Sequence, residues 1–148
     1  MGNLSDRRSP RLPVWPEPSE RPRILVEHAD IGMGFALVDF LESEGADVAV
    51  CGGPDALKRH RCPLVFGEDC DLATGADLVV HGLNPDRPEH AEVLRALQAK
   101  HPDTPVIVEV PKPSAERHPG LLADCFVVPL PATRVSLREA VQRALAPE

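Results

Sequence analysis

The segment "DLVVHGLNP", residues 77–85, carries much of the information about the fold of this chain. Its apolar run at residues 78–80 predicts a buried strand within residues 77–83, and Pro85 closes the following turn. Parallel strands of an open α/β sheet end at the edge where ligands usually bind. The residue that reaches this edge is Gly82, which has no side chain to contribute to any chemistry there.

Length and composition indicate one folded domain with an aliphatic core. The chain has 148 residues, of which 43% are hydrophobic and only 3% aromatic. Its net charge of −7 argues against direct nucleic-acid binding, which requires a basic surface that displaces counterions. The sequence has neither an apolar leader nor an apolar run of about 18 residues, so we expect a cytoplasmic protein without a membrane partner.

The first 22 residues differ from the rest of the chain. They contain five prolines, which deny the backbone the hydrogen bonds of helices and sheets, so residues 1–22 are predicted to be an extended or disordered N-terminal arm. This arm contains Trp15, the only tryptophan. Either the arm lies along the surface of its own domain or it docks on a partner with Trp15 as the anchor.

Residues 23–148 alternate short apolar runs with amphipathic segments. Strands are predicted at residues 23–29, 47–51, 77–83, 104–110 and 125–130. Helices are predicted at residues 34–45, 53–60, 88–101 and 136–145, the last with a capping box of Ser136 and Glu139. The "PLVF" run at residues 63–66 fits a short strand or an extended loop, and "PKPSAERHPG" at residues 111–120 fits a loop.

This alternation predicts a flavodoxin-like, three-layer α/β/α sandwich. Right-handed crossovers between successive strands produce a parallel sheet that is covered by helices on both faces. The predicted sheet has five parallel strands in the order 2-1-3-4-5.

Several segments carry a family resemblance. They are "RILVEHAD", "DLVVHGLNPDRPEHAEVLRALQAKHPDTPVIVEV" and "ADCFVVPLPATRVSLREAVQRAL". The first resembles an opening strand, the second a strand that ends in Leu-x-Pro followed by a helix and a fourth strand, and the third a closing strand and helix. Over residues 22–145 the chain thereby resembles the receiver domain of bacterial response regulators.

The resemblance implies five positions for phosphoryl-transfer chemistry at the carboxyl ends of the strands. These are an acidic pair, a phosphoacceptor aspartate, a hydroxyl residue and a lysine. In this chain they fall, in that order, on Glu27 and His28, Gly82, Val110, and Pro129 or Leu130. Only Glu27 retains a suitable side chain, since Mg²⁺ prefers several oxygen ligands, glycine offers no nucleophile, and no lysine balances the developing charge.

The sequence therefore predicts a stand-alone pseudo-receiver: a degenerate receiver domain that is not an enzyme and uses no metal or cofactor. Its expected function is phosphorylation-independent signal transduction through protein–protein interaction. The expected partner is a regulator or kinase, or a second copy of the chain. The resemblance implies that binding uses the face formed by the fourth strand, the fifth strand and the last helix, next to residues 111–120, where family members usually carry a helix.

A small-molecule or nucleotide-binding domain is the first alternative. Four residues at the carboxyl ends of the first and third strands are candidates for lining a pocket: Glu27, His28, Asp30 and His81. The absence of a side chain at Gly82 is expected to enlarge this pocket. A dinucleotide fingerprint is incomplete, because Leu37 stands where a third glycine would follow Gly32 and Gly34.

A thiol redox sensor is the second alternative. Cys62 and Cys70 lie in an irregular segment that could bring them together as a redox pair. The array of His60, Cys62 and Cys70 lacks the close ligand pairs of typical zinc sites, so no metal site is predicted. Cys51 and Cys125 lie on predicted strands and are interpreted as packing residues.

Overall fold

The computed structural model describes residues 15–54 and 62–147. The helix predicted at residues 53–60, including His60, falls almost entirely outside the described residues, as does most of the predicted N-terminal arm. None of the described helices is both long enough and apolar enough to cross a bilayer.

A parallel sheet forms the centre of the described structure. Its five strands are β1 (Arg23–His28), β2 (Asp47–Cys51), β3 (Leu78–Gly82), β4 (Val106–Pro111) and β5 (Phe126–Leu130). All neighbouring strands are parallel, and their order is β2-β1-β3-β4-β5. The predicted fold class and strand order are thus confirmed. The central strands β1, β3 and β4 are buried on both faces, which explains why their sequences read as continuous apolar runs.

Helices cover both faces of this sheet. In the described residues they are α1 (Ile31–Ser43), α2 (Asp71–Gly75), α3 (Pro88–Lys100), α4 (Lys112–Arg117), α5 (Pro119–Leu122) and α6 (Arg134–Leu145). The "PLVF" run forms a 3₁₀ turn, Pro63–Phe66, and is neither strand nor extended loop. Its proline stands in the first turn, where the missing N–H costs nothing.

Residues 111–120 are not a loop, which corrects the sequence interpretation. They contain α4 and the first two residues of α5. Pro113 is the second residue of α4 and Pro119 the first residue of α5, positions where a fixed φ favours the helix and no N–H is required. The prolines therefore start two short helices instead of interrupting one.

The last helix also begins earlier than predicted. Its N-cap is Thr133, whose Oγ1 accepts a hydrogen bond from the N–H of Ser136 at 2.9 Å. In return, the N–H of Thr133 donates to Ser136 Oγ, also at 2.9 Å. Ser136 is thus the inner residue of the capping box, and the predicted pairing of Ser136 with Glu139 is wrong by three residues because Thr133 supplies an earlier hydroxyl.

Two apolar cores lie on opposite faces of the sheet. Leu25, Val79 and Val108 point to the face covered by α2, α3 and α5. Ile24, Val26, Val80 and Ile107 point to the face covered by α1 and α6. The alternation follows from the two-residue period of a strand, so the same period decides which face each polar strand residue joins.

The end of the predicted N-terminal arm packs on its own domain. Trp15 Nε1 donates a hydrogen bond to the carbonyl of Leu72 at 3.1 Å, and the Arg23 guanidinium lies 5.5 Å from the centroid of the indole ring. The indole lies so close to Gly75 that a Cβ there would be 2.6 Å from Trp15 Nε1. Nearby, Asp77 accepts a hydrogen bond from the N–H of Arg23 at 2.8 Å, at the opposite end of the sheet from Gly82.

The contact between Trp15 and Gly75 predicts the effect of adding one methyl group. We expect Gly75→Ala to displace the indole, to shift the Trp15 fluorescence to longer wavelength, and to lower the free energy of unfolding by about 1–3 kcal/mol. Gly120→Ala is the matched control, because a Cβ at that position meets nothing within 4 Å. Urea denaturation followed by fluorescence compares both variants with the parent, and equal behaviour of the two variants would contradict the described contact.

Candidate functional site

The carboxyl edge of β1 and β3 brings together most of the residues singled out in the sequence. Glu27 lies opposite His81 in the register, and His28 lies opposite Gly82. The side chains of Glu27 and His81 point to one face of the sheet and the side chain of His28 points to the other, since side chains alternate along a strand.

Glu27 and His81 form a buried pair. Glu27 Oε1 lies 2.8 Å from His81 Nδ1, and the two residues are 4% and 0% exposed. They share the face of the sheet that carries Leu25 and Val79. His81 Nε2 is buried and has no hydrogen-bond partner in the described part of the chain. The carboxyl of Glu27 and the imidazole of His81 therefore connect β1 with β3 inside the core instead of facing a ligand.

His28 covers Gly82. Its Nδ1 accepts a hydrogen bond from the N–H of Asp30 at 3.0 Å, which orients the ring. A Cβ on Gly82 would lie only 2.5 Å from His28 Cδ2 and 3.2 Å from His28 Nε2. Burial lowers the pKa of His28, and the Asp30 carboxylate only partly opposes this effect. A neutral imidazole thus fills the space next to Gly82, so the expected enlargement of a pocket there is wrong.

Asp30 has a structural role in this arrangement. Its Oδ1 accepts a hydrogen bond from the N–H of Met33 at 3.0 Å and caps α1. Glu27 points into the core, so these two carboxylates do not meet as cation ligands. In residues 15–54 and 62–147, no group of three or more His, Cys, Asp or Glu side chains is arranged to hold a metal ion.

The remaining positions implied by the family resemblance carry apolar groups. Val110, at the hydroxyl position, is fully buried in the core between the sheet and α3. Pro129 and Leu130, at the lysine position, lie at the end of β5 and are exposed. None of the three can donate to or accept from a phosphoryl group through its side chain.

The cysteines are thiols in this structure. All four lie in the described residues and none forms a disulfide. Cys62 is buried and Cys70 half-buried. Burial raises the pKa of Cys62, and it raises the pKa of Cys51 to about 11. Because the thiolate is the reactive form, the raised pKa of Cys62 works against the redox alternative.

One polar cluster was missed in the sequence. Asp86, in the loop after β3, accepts hydrogen bonds from Ser114 Oγ at 2.7 Å and from Arg117 Nε at 3.1 Å. His118 Nε2 lies 2.8 Å from Asp86 Oδ1. Arg117 foremost, with Ser114 and His118, holds the pKa of Asp86 well below its usual range. The cluster connects α4 to the loop after β3. The sequence interpretation of residues 111–120 as a loop did not predict it, because Ser114 and Arg117 come together on a helix.

The buried pair predicts coupled effects on stability. Replacing one partner leaves the other buried and unpaired, so we expect Glu27→Leu and His81→Leu each to lower the free energy of unfolding by about 3–5 kcal/mol. We expect the double variant to lose much less than the sum of the two. Urea denaturation monitored by circular dichroism measures the complete cycle, and strictly additive losses would contradict a direct interaction.

The chain is similar to known proteins in its three-dimensional structure. No protein-family model matches the chain. No curated protein matches it either. Solved structures do match, and one is a response regulator receiver domain protein from Clostridium thermocellum, with a TM-score of 0.64 and 19% identity over 84% of this chain and 94% of that one.

Two further structures show the same relation. The chemotaxis protein CheY4 of Vibrio cholerae aligns with a TM-score of 0.62 and 15% identity, over 84% of this chain and 99% of that one. The response regulator TrrA of Thermotoga maritima, in complex with Mg²⁺-BeF, aligns with a TM-score of 0.61 and 19% identity, over 84% and 99% of the two chains. The chain therefore has the fold of response-regulator receiver domains, and its resemblance to that family is confirmed at the level of structure.

Proposed function

We propose that this protein is a receiver-like regulatory module that works by binding another protein and does not use phosphorylation. The observation that carries the proposal is the covered glycine. The position that would hold a phosphoacceptor is Gly82, and the His28 ring occupies the space where its side chain would begin.

The electrostatics of the edge support the same proposal. The Glu27 carboxyl is engaged with His81 in the core, and Asp30 caps a helix. A hydrated Mg²⁺ ion prefers at least one or two carboxylates that are open to it. Asp30, the carboxylate next to Glu27 and His28 that is not buried, is already used by the backbone of α1.

The face that we propose for the partner is formed by β4, β5 and α6. β5 is an edge strand and offers unpaired backbone groups, and apolar side chains lie on it and on the following helix. Val127 on β5 is 41% exposed, and Val135 on α6 is 58% exposed. Exposed apolar groups that lie close together mark surfaces that a partner can cover. Non-enzymatic signalling through a regulator, a kinase or a second copy fits this surface.

The chemistry of the edge predicts no phosphorylation. We expect no phosphoprotein when the protein is incubated with acetyl phosphate and Mg²⁺, and none from Gly82→Asp, since the new side chain collides with His28 and finds no hydroxyl or lysine partner. Intact-mass spectrometry detects the added phosphoryl group. A stable phosphoprotein from the parent chain would refute the proposal.

The proposed face predicts which substitutions disturb binding. Affinity capture from a lysate of the source cells, with mass spectrometry, identifies the partner, and light scattering detects self-association. We expect Val127→Asp and Val135→Asp each to weaken the interaction by about tenfold or more, because a charge is buried in an apolar contact. Val65→Asp is the control, since Val65 is similarly exposed on the 3₁₀ turn. Equal loss in all three variants would contradict the assignment of this face.

A further inference from the structure

A groove lies between α1 and the segment that connects β5 to α6. Its volume is about 620 Å³, within the range of small-molecule sites. Most of its lining is apolar and includes Leu37, Phe40, Leu130, Pro131 and Leu137. It belongs to the face of the sheet that carries Ile24 and Ile107, and therefore lies on the opposite face from the pair of Glu27 and His81.

One carboxyl group reaches this groove from the sheet. Glu109 lies on β4, is only 6% exposed, and lines the groove. Within the described residues its side chain has no hydrogen bond and no ion pair. Burial raises the pKa of Glu109, as expected for a carboxyl without a compensating charge. Buried carboxyl groups are normally paired, so an unpaired one in a cavity requires an explanation.

The other charged side chains of the groove do not form an ion pair or hydrogen bond with Glu109. Arg134, the first residue of α6, and Asp39 on α1 also line the groove, but both are exposed at its rim and neither bonds to Glu109. Their charges cancel, so the net charge of the lining is that of Glu109 when it is ionised. Glu109 thus presents a carboxyl group without a protein partner to any molecule that enters the groove.

We propose that this groove binds a small organic cation, a primary amine on an apolar body. The ammonium group donates hydrogen bonds to Glu109, and the apolar body packs against Phe40, Leu130 and Leu137. A charge-assisted hydrogen bond in a partly desolvated site is stronger than a neutral one, and it gives the carboxylate the partner that the chain itself does not supply. The site does not depend on the proposed protein-binding role.

The test compares three ligands of similar shape and different charge. Phenethylamine is the cation, phenethyl alcohol the neutral analogue and hydrocinnamate the anion. For molecules of this size we expect the amine to bind with a Kd on the order of 0.1–1 mM, and both analogues to bind at least about tenfold more weakly. Isothermal titration calorimetry gives the affinities, and amide chemical shifts in a titration should change on α1 and between Leu130 and Leu137.

Two variants and one control decide the role of the carboxyl. We expect Glu109→Gln to weaken amine binding by about tenfold or more while leaving the alcohol unaffected. Asp39→Asn, at the exposed rim, should change amine binding by no more than about twofold. Ala132→Trp, which fills the groove and leaves Glu109 in place, should abolish binding of the amine.

Circular dichroism and urea denaturation verify that each variant is folded, and should Glu109→Gln fail to fold, Ala132→Trp and the charge series still decide the question. Three results would each overturn the proposal: no saturable amine binding in the millimolar range, equal binding of amine and alcohol, or unchanged amine binding in folded Glu109→Gln.

Discussion

The hydrogen bond between Glu27 and His81 is the interaction on which the arrangement of the carboxyl edge depends. It joins β3, the middle strand, to its neighbour β1 at the edge where an open α/β sheet usually binds its ligand. Because both groups are buried, each is stable in the core only while the other accompanies it. This contact keeps the Glu27 carboxyl in the core, where it is not available to bind a metal ion. One step along the strands, His28 closes the space over Gly82. The edge is thus sealed by packing and by an internal polar contact.

Each face of the sheet carries one buried glutamate, and the two differ in whether the carboxyl has a partner. On one face Glu27 is matched by His81, while on the other Glu109 has no partner in the described chain and lines the groove between α1 and α6. Both are glutamates on buried strands, and both bear the cost of desolvation. The difference is that the first is compensated within the fold and the second is left accessible to an external group. This asymmetry is the reason why the proposed ligand site lies beside α6 and away from the edge of β3.

The proposed protein face and the edge of the sheet are physically connected. Asp86 follows β3 and binds Ser114 and Arg117 of α4, so the helix that replaces the predicted loop is fastened to the sheet edge. A fixed α4 fits the proposal that the binding surface is formed without phosphorylation. Val127 on β5 and Val135 on α6 are exposed. The same contacts help to hold α4, which is short, since isolated helices of this length do not form in water.

The sequence by itself determined the strands, the parallel order of the sheet and the residue types at its carboxyl edge, because apolar periodicity and residue identity are local properties of the chain. It also contained a signal for Glu109, an acidic residue within the apolar run "TPVIVEV", although that signal did not reveal whether a partner exists. Proline was misleading at residues 111–120, since a proline marks the start of a helix as readily as its end. Only the tertiary structure decided that Glu27 meets His81, that His28 covers Gly82 and that Asp86 holds α4. Each of these contacts joins residues distant in sequence, and their geometry depends on the register between strands and on rotamers that no local pattern encodes.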